Sequence, residues 1–151
     1  MPAVRFDSLP ALAGSEIGMS DWLTIDQARI NLFAEATGDR QWIHLDTERA
    51  KKELPGGKTI AHGYLTLSLI PALVQDLLRI EDLTRGINYG ADKVRFTAPV
   101  PEGSRIRARQ KLLSVEPRGG GLQLVSEIAI EIEGEKRPAL VAETIAIIYN
   151  R

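Results

Sequence analysis

The 151-residue chain contains no cysteine. This excludes a disulfide framework, a thiol nucleophile and a metal site built on cysteine. An excess of one charge is lacking as well, because 19 basic residues stand against 20 acidic ones and the formal net charge is −1. Proteins that bind nucleic acid need a concentrated excess of Lys and Arg to neutralise phosphates. We therefore expect no nucleic-acid partner.

Long hydrophobic runs are also missing. The stretch from Thr59 to Gln75 has no Asp, Glu, Lys or Arg, but it is shorter than the roughly 20 apolar residues that cross a bilayer. The N-terminus lacks the charged-then-apolar order of a signal peptide. We expect a cytoplasmic protein without a membrane partner, in which residues 1–151 form a single domain large enough to bury a core.

The region before residue 40 predicts an amphipathic helix with a defined end. Thr24 followed by Gln27 matches a capping box at its start. Gly38 suits the left-handed residue that often follows a helix C-terminus. Apolar residues recur at three- and four-residue spacing, which predicts one buried stripe: Ile25, Ala28, Leu32 and Ala36.

A carboxylate and an imidazole, Asp39 and His44, lie five residues apart just beyond this helix. Segment 39–45 is predicted to be a loop, followed by a short helix that Asp46 or Thr47 caps. Together the two groups can accept and donate protons at neutral pH. However, an Asp after a Gly is often only a turn former, and a lone His is more often a surface or core residue. The spacing alone leaves both interpretations open.

A second helix is predicted from about His62 towards Leu78, kinked at Pro71. Because this stretch is apolar all round, the helix should be buried on nearly every side. Gly63 near its start leaves backbone N–H groups open at the positive end of the helix dipole, where an oxygen that gains negative charge can bind. Alternatively, Gly63 only allows close packing against a neighbouring element. We interpret His62 as structural. A metal site of His44 and His62 has no supporting spacing motif, so we expect no metal.

The second half of the chain alternates in the period of β-strands. Residues 105–112 are predicted to form a strand with one basic face. Leu124 to Glu133 is predicted to form a second strand with an acidic face, and the turn-forming segment Pro117 to Gly121 joins the two strands. Antiparallel pairing would put a basic and an acidic face side by side, so the arginine row is interpreted as a solvated sheet face, with coenzyme binding as a secondary interpretation. In the first of these strands, one face carries Ile106, Ala108, Gln110 and Leu112, and the basic face carries Arg105, Arg107, Arg109 and Lys111.

A final strand, Ala139 to Tyr149, follows a turn at Gly134 to Pro138 and is apolar on both faces, so it should be central in its sheet. Residues 1–13 are expected to form an irregular arm, and Ser15 to Leu23 a short first strand. Helices followed by strands with tight turns indicate an α+β fold, with an antiparallel sheet packed on one long apolar helix.

One run of sequence resembles a family signature. The pattern F-x-x-x-[ST]-G-D-x-x-x-x-H-x-D-x-x-x-A, present from Phe33 to Ala50, is similar to the hydratase-2 signature of the MaoC-like dehydratase family, whose members include (R)-specific enoyl-CoA hydratases. Ala61-His62-Gly63 and the segment from Gly86 to Pro101 match further parts of the family. The family's usual Asn-Pro between the acid and the histidine is replaced here by Gln41 and Trp42.

The resemblance implies a hot-dog fold, in which an antiparallel sheet wraps around a long central helix, and a homodimer whose sheets join. It implies reversible syn addition of water to trans-2-enoyl thioesters, with Asp39 and His44 as the catalytic pair and the Gly63 amide as the oxyanion donor. The Gln41 side-chain amide would orient Asp39 or a water. No cofactor is implied, because coenzyme A or acyl carrier protein is the handle of the substrate.

Two alternatives stay open beside hydration. A hot-dog thioesterase also binds acyl-CoA but directs water to the carbonyl carbon, usually with one carboxylate, whereas the pair of Asp39 and His44 favours hydration. A non-catalytic acyl-thioester-binding protein would result if Gln41 and Trp42 disable the loop.

Overall fold

The computed structural model describes residues 3–151. Its first element is a 3-10 helix, Phe6–Leu12, that buries Phe6 and Leu9. These two side chains pack in a core cluster with Ile17 and Leu112. The prediction of an irregular arm over residues 1–13 is therefore wrong for this helix, because two apolar residues three apart anchor it to the sheet; residues 1 and 2 lie outside the described part.

Five short α-helices follow in the first half of the chain. The first is preceded by two short strands and the third is followed by a 3-10 turn at Pro55–Gly57. The predicted short helix before residue 54 is confirmed, and the Asp46 side chain caps it by accepting a hydrogen bond from the Arg49 amide at 2.9 Å. The helices are α1 (Gln27–Thr37), α2 (Trp42–Leu45), α3 (Thr47–Glu53), α4 (Gly63–Ser68) and α5 (Ile70–Val74).

The start and the buried face of α1 differ from the prediction. Asp26, not Thr24, is the N-cap, and its carboxylate accepts from the Arg29 amide at 2.9 Å. The helix buries Ile30 and Ala34, whereas Leu32 is 71% exposed. Two residues correspond to roughly 200° around a helix, so a core on the Ile30 side leaves Leu32 on the opposite side.

The C-terminal end of α1 is confirmed. Gly38 takes the left-handed conformation, with φ of 81°, and its N–H bonds the Ala34 carbonyl. A glycine adopts this φ without the steric cost that a Cβ would bring. The chain therefore leaves α1 in one direction at Gly38, which sets where Asp39 emerges.

The long central helix is interrupted. α4 ends at Ser68, α5 begins at Ile70, and α5 ends at Val74 rather than near Leu78. Pro71 lacks the N–H that would bond the carbonyl four residues earlier, and its ring crowds that carbonyl. The kink predicted at Pro71 is therefore confirmed, but the single helix is replaced by two short ones. The prediction that this segment is buried on nearly every side is also wrong, because Tyr64 is 67% exposed.

Six strands form one antiparallel sheet. Along the main path the strands lie in the order β1-β4-β5-β6-β3, and β2 pairs beside β4. The predicted first strand, residues 15–23, is split into two pieces that both pair with β4. The bounds are β1 (Glu16–Met19), β2 (Leu23–Thr24), β3 (Arg85–Phe96), β4 (Arg105–Arg118), β5 (Gly121–Ile132) and β6 (Leu140–Tyr149).

The charge pattern predicted for β4 and β5 is confirmed. Arg107 lies opposite Glu131 in the register of the two strands, and their side chains form an ion pair at 2.7 Å. The alternate side chains of β4 are buried: Ile106, Ala108, Gln110 and Leu112. β6 lies between β5 and β3, so its predicted place inside the sheet is confirmed.

The concave face of the sheet carries the main core. Its buried residues come from α1, α4 and α5 on one side and from β4, β5 and β6 on the other. This is the hot-dog arrangement of sheet around helix, and the predicted α+β class is confirmed. Within residues 3–151 no helix is long and apolar enough to span a membrane.

Ile128 provides a test of this core. It is fully buried, so Ile128→Ala should lower the free energy of unfolding by about 2–4 kcal/mol, through lost apolar burial and the cavity left behind. Urea denaturation measures this change. Leu32→Ala, at an exposed position of α1, is the control and should change it by about 0.5 kcal/mol or less. Equal effects of the two substitutions would contradict the burial described here.

Candidate active site

Asp39 is placed by the end of α1. It follows Gly38, and its amide donates to the Thr37 hydroxyl at 3.3 Å. That hydroxyl in turn donates to the Phe33 carbonyl at 2.8 Å. The Asp39 side chain is exposed, so the carboxylate is open to a substrate or a water.

His44 lies on α2 and is held from two directions. The predicted loop over residues 39–45 is wrong for its second half, because the Asp46 amide bonds the Trp42 carbonyl at 2.9 Å and closes a helical turn. The His44 side chain is only 6% exposed, and its Nδ1 lies 2.6 Å from the Ile60 carbonyl oxygen. A carbonyl only accepts, so Nδ1 carries the proton and the lone pair of the neutral ring is on Nε2.

Gln27 is a residue whose part in the site the sequence did not predict. Its side-chain N–H donates to the His44 carbonyl at 2.7 Å, and its side-chain oxygen accepts from the Thr59 hydroxyl at 2.6 Å. Gln27 therefore does not complete a capping box; it ties α1 to α2 and to the segment before α4. The only sequence signal was a polar residue at the start of α1, which also suits a cap, and its partners lie 17 and 32 residues away.

The fold brings Asp39 and His44 together and adds His62. One carboxylate oxygen and one ring nitrogen of each histidine lie within 4.8 Å of one another. The two imidazoles stack with centroids 3.8 Å apart and planes 23° from parallel. His62 is 2% exposed.

This cluster does not suit a metal ion. Zinc needs imidazole lone pairs that converge on one point about 2.0–2.1 Å from each nitrogen. Lone pairs of stacked rings lie in two nearly parallel planes, and Nδ1 of His44 is already bonded to Ile60. Within residues 3–151 the hydrogen bond of the His44 ring is made by Nδ1, and Nε2 carries the lone pair of the neutral ring.

A cavity of about 430 Å³ adjoins His44. Gly63 lines it, and no hydrogen bond within residues 3–151 uses the Gly63 N–H. Gly63 also permits close packing, since a Cβ built there would lie 2.9 Å from the Phe96 ring. Both interpretations of Gly63 are therefore compatible with the structure. The other lining residues are Ile60, Ala61, Tyr64, Thr66, Phe96, Thr97, Ala98, Pro99, Val100 and Ala139.

Gln41 contacts Asp39 through its backbone. Its amide points to the Asp39 carboxylate at 3.4 Å, a weak contact, and its exposed side chain makes no capping bond to α2. Trp42 lies under the Arg49 guanidinium, 3.8 Å from the ring centroid. The predicted role of the Gln41 side-chain amide, which is to orient Asp39 or a water, stays a prediction.

Burial lowers the pKa of His44 below its ordinary value, because the charged ring loses solvation. The neighbouring His62 lowers this pKa further, while the hydrogen bond to Ile60 and the charge of Asp39 act in the opposite direction. His44 is therefore neutral at pH 7, with Nε2 as an acceptor.

Comparison with known proteins adds a family match. The chain matches the MaoC like domain over residues 9–127. It is 51% identical over 138 residues to the 3-hydroxyacyl-thioester dehydratase Z of Mycobacterium tuberculosis (strain ATCC 25618 / H37Rv), and the match covers 91% of each protein. It is 49% identical over 150 residues to the nodulation protein N of Rhizobium leguminosarum bv. viciae, covering 98% of this chain and 93% of that protein.

A solved structure supports the fold. The unliganded R-hydratase PhaJ1 from Pseudomonas aeruginosa matches with a TM-score of 0.71 at 23% identity, over 92% of this chain and 83% of that one. This match is to the architecture of one antiparallel sheet with helices against its concave face.

The lowered pKa of His44 predicts a pH dependence of stability. Unfolded His44 titrates near 6.5 and folded His44 at lower pH, so unfolding takes up a proton between these values. Stability contributed by this group is present above pH 6.5 and is lost as the pH falls through the folded pKa. An NMR titration of the His44 ring should give a midpoint below 6.5. A midpoint above 6.5 would contradict the burial argument, and His44→Gln should remove this part of the pH dependence of Tm.

Proposed function

The chain belongs to the MaoC-like dehydratase family, and we propose that it is a hydro-lyase: an (R)-specific enoyl-CoA hydratase that reversibly adds water to trans-2-enoyl thioesters. The observation that carries this proposal is the proximity of Asp39 and His44, with a carboxylate oxygen and a ring nitrogen within 4.8 Å of one another, and the cavity that His44 and Gly63 both line. The dehydratase Z named above acts, by its name, on 3-hydroxyacyl thioesters.

Both groups of the pair are acceptors in the resting site. His44 donates from Nδ1 to Ile60 and so presents its Nε2 lone pair, and a carboxylate such as Asp39 only accepts. A water between them donates both of its protons, which leaves its oxygen lone pairs facing the substrate. Such a water is held and oriented for attack without any metal or cofactor.

The reaction then needs one bond to form at each alkene carbon. The water oxygen attacks the β-carbon while Asp39 or His44 takes one of its protons, and the alkene electrons move to the α-carbon and the thioester oxygen. A proton is returned to the α-carbon from the same side, which gives syn addition. The face of the β-carbon that the water attacks sets the (R) configuration of the 3-hydroxyacyl product. The reverse sequence eliminates water. Because the two groups lie close enough to interact, we treat them as one coupled acid–base pair.

The Gly63 amide is proposed to stabilise the enolate oxygen. Its N–H faces no acceptor within the described chain, and it sits at the first residue of α4. A donor aimed at an oxygen that gains charge lowers the barrier because it binds the transition state better than the substrate. The Phe96 ring, which packs on Gly63, excludes water from one side of this amide. We propose that the exposed Gln41 side chain, two residues from Asp39, contacts the substrate or orients the water that Asp39 holds.

The substrate handle is proposed to be coenzyme A or acyl carrier protein. Both present the same pantetheine arm, and the apolar wall formed by Phe96, Val100 and Ala139 suits an acyl chain. Acyl thioesters of either handle therefore fit the same site.

A homodimer is proposed through the outer edge of β3. This strand is at the end of the sheet order and pairs with β6 alone within residues 3–151. It exposes Ile87, Tyr89 and Phe96, each by 47–54%. An exposed apolar edge strand is prone to pair with another strand, and two copies around a two-fold axis would satisfy both edges.

Hydratase activity is the first test. Loss of the near-ultraviolet absorbance of the enoyl thioester should follow addition of the protein to crotonyl-CoA, without release of free thiol. Asp39→Asn and His44→Ala should each lower turnover by roughly 10²–10⁴-fold, because each removes a group that transfers or orients a proton.

Circular dichroism should show that both variants keep the fold, since Asp39 is exposed and the His44 ring lies at the cavity wall. Thr47→Ala, at an exposed position of α3, is the matched control and should keep wild-type turnover. A variant of Asp39 or His44 with near-full activity would remove that residue from the mechanism. Thiol release in place of hydration would identify a thioesterase, and binding without turnover an acyl-binding protein.

The dimer has its own test. Wild-type protein should have twice the 16.6 kDa mass of one chain by light scattering. Ile87→Lys should shift this mass towards one chain, because a charge at the β3 edge opposes strand pairing. Leu32→Lys, on the exposed side of α1, is the control and should stay dimeric. A wild-type mass of one chain would refute the proposed dimer.

A further inference from the structure

We propose that His62 is a positioning residue for the catalytic pair: its ring N–H holds the backbone of Asp39 while its ring face holds the imidazole of His44. This role rests on the function proposed above. It goes beyond the structural role expected from the sequence, because it assigns the N–H edge of the His62 ring to Asp39 and the face of the ring to His44.

The first contact is a hydrogen bond from His62 to Asp39. The Nε2 of His62 lies 2.9 Å from the Asp39 carbonyl oxygen, 23 residues away in the chain. The carbonyl only accepts, so Nε2–H donates. The other hydrogen bonds of Asp39 within residues 3–151 reach only Thr37 and Gln41. Among these bonds, the one from His62 links Asp39 to a distant segment of the chain, since Thr37 and Gln41 are each two residues away.

The second contact is the stack on His44. The His62 ring lies between His44, with centroids 3.8 Å apart, and Phe33 of α1, with centroids 4.9 Å apart. The stack sets the plane of the His44 ring, and the bond from Nδ1 to Ile60 sets its rotation within that plane. Together they aim Nε2 in one direction.

The unused nitrogen of His62 supports a role for the hydrogen bond. With the proton on Nε2, the lone pair of the neutral ring is on Nδ1, and no group within residues 3–151 forms a hydrogen bond with this buried atom. A buried acceptor without a partner destabilises the fold. A phenylalanine would fill the same space between Phe33 and His44 without that cost. The Nε2–H donor, which a hydrocarbon ring lacks, therefore explains why an imidazole occupies this position.

The two contacts connect the positions of acid and base. Both contacts are made by one buried ring, and its residue, His62, is the N-cap of α4. A shift of Asp39 relative to His44 by about 1 Å can lower turnover about 10²-fold. Loss of the His62 donor would allow this shift even though both catalytic side chains remain.

Two variants separate the donor from the ring. His62→Phe keeps the stacked ring and removes the donor, whereas His62→Gln removes the ring and places an amide N–H near the position of Nε2. With crotonyl-CoA, His62→Phe should lower kcat by about 10- to 100-fold and change KM by less than about threefold. His62→Gln should recover part of this loss and stay below wild type, because it restores the donor to the Asp39 carbonyl but lacks the ring that stacks on His44. If packing alone mattered, the order of the two variants would be reversed.

A second readout does not depend on turnover. The Arg40 amide belongs to the same peptide as the Asp39 carbonyl, so its NMR shift reports the hydrogen bond from His62. It should move in His62→Phe and return towards its wild-type position in His62→Gln. Full kcat in His62→Phe, or an Arg40 shift that is the same in both variants, would overturn the proposal. An inactive wild-type protein whose Arg40 shift responds as described would refute the hydratase function while keeping the positioning contact.

Discussion

Burial of α4 and α5 against the concave face of the sheet is the contact on which the other parts of this structure depend. Leu65, Leu69 and Leu73 recur at four-residue spacing, and all three are buried in the main core. Apolar burial of this kind is the largest favourable contribution to folding. It fixes the start of α4 against the sheet, where the Ala61 amide bonds the Val100 carbonyl at 2.8 Å. His62 and Gly63 come directly after this anchored residue.

The site is then assembled from segments that have little regular structure of their own. α2 is a single turn, too short to be stable alone. Three contacts from other elements hold it: Gln27 to the His44 carbonyl, His44 Nδ1 to Ile60, and the Ile60 amide to the Ile43 carbonyl at 3.1 Å. A typical hydrogen bond contributes about 0.5–1.5 kcal/mol net, so such a turn requires several of them. The position of His44 is thus a property of the tertiary structure.

The replacement of Asn-Pro by Gln41 and Trp42 has a physical explanation in α2. Residue 42 is the first residue of this helix and residue 41 is its N-cap. Proline suits the first position because its missing N–H has no partner there, and tryptophan can occupy the same position, where it contacts Arg49 instead. Asparagine is a favoured N-cap, whereas Gln41 makes no capping bond. The start of the helix is retained, and its capping is weaker.

Several features follow from the sequence by itself. Gly38 determines where α1 ends, Asp46 caps α3, and the alternation around Ile106 and Ile128 determines which faces of β4 and β5 are buried. Each depends on residues a few positions apart, whose chemistry is local. Because the hydratase-2 signature is also local, its match to residues 33–50 singled out Asp39 and His44, whereas their spacing alone left their role open.

Other features were decided only by the tertiary structure. Thr24 and Gln27 satisfy the capping-box pattern, yet Asp26 caps α1 and Gln27 serves His44 and Thr59. The sequence does not tell which side of α1 meets the core, nor that the ring of His62 would contact both the Asp39 carbonyl and the His44 ring. These outcomes depend on groups 17 to 32 residues apart, which meet only after the sheet has closed around α4 and α5, and local periodicity carries no information about such distant contacts.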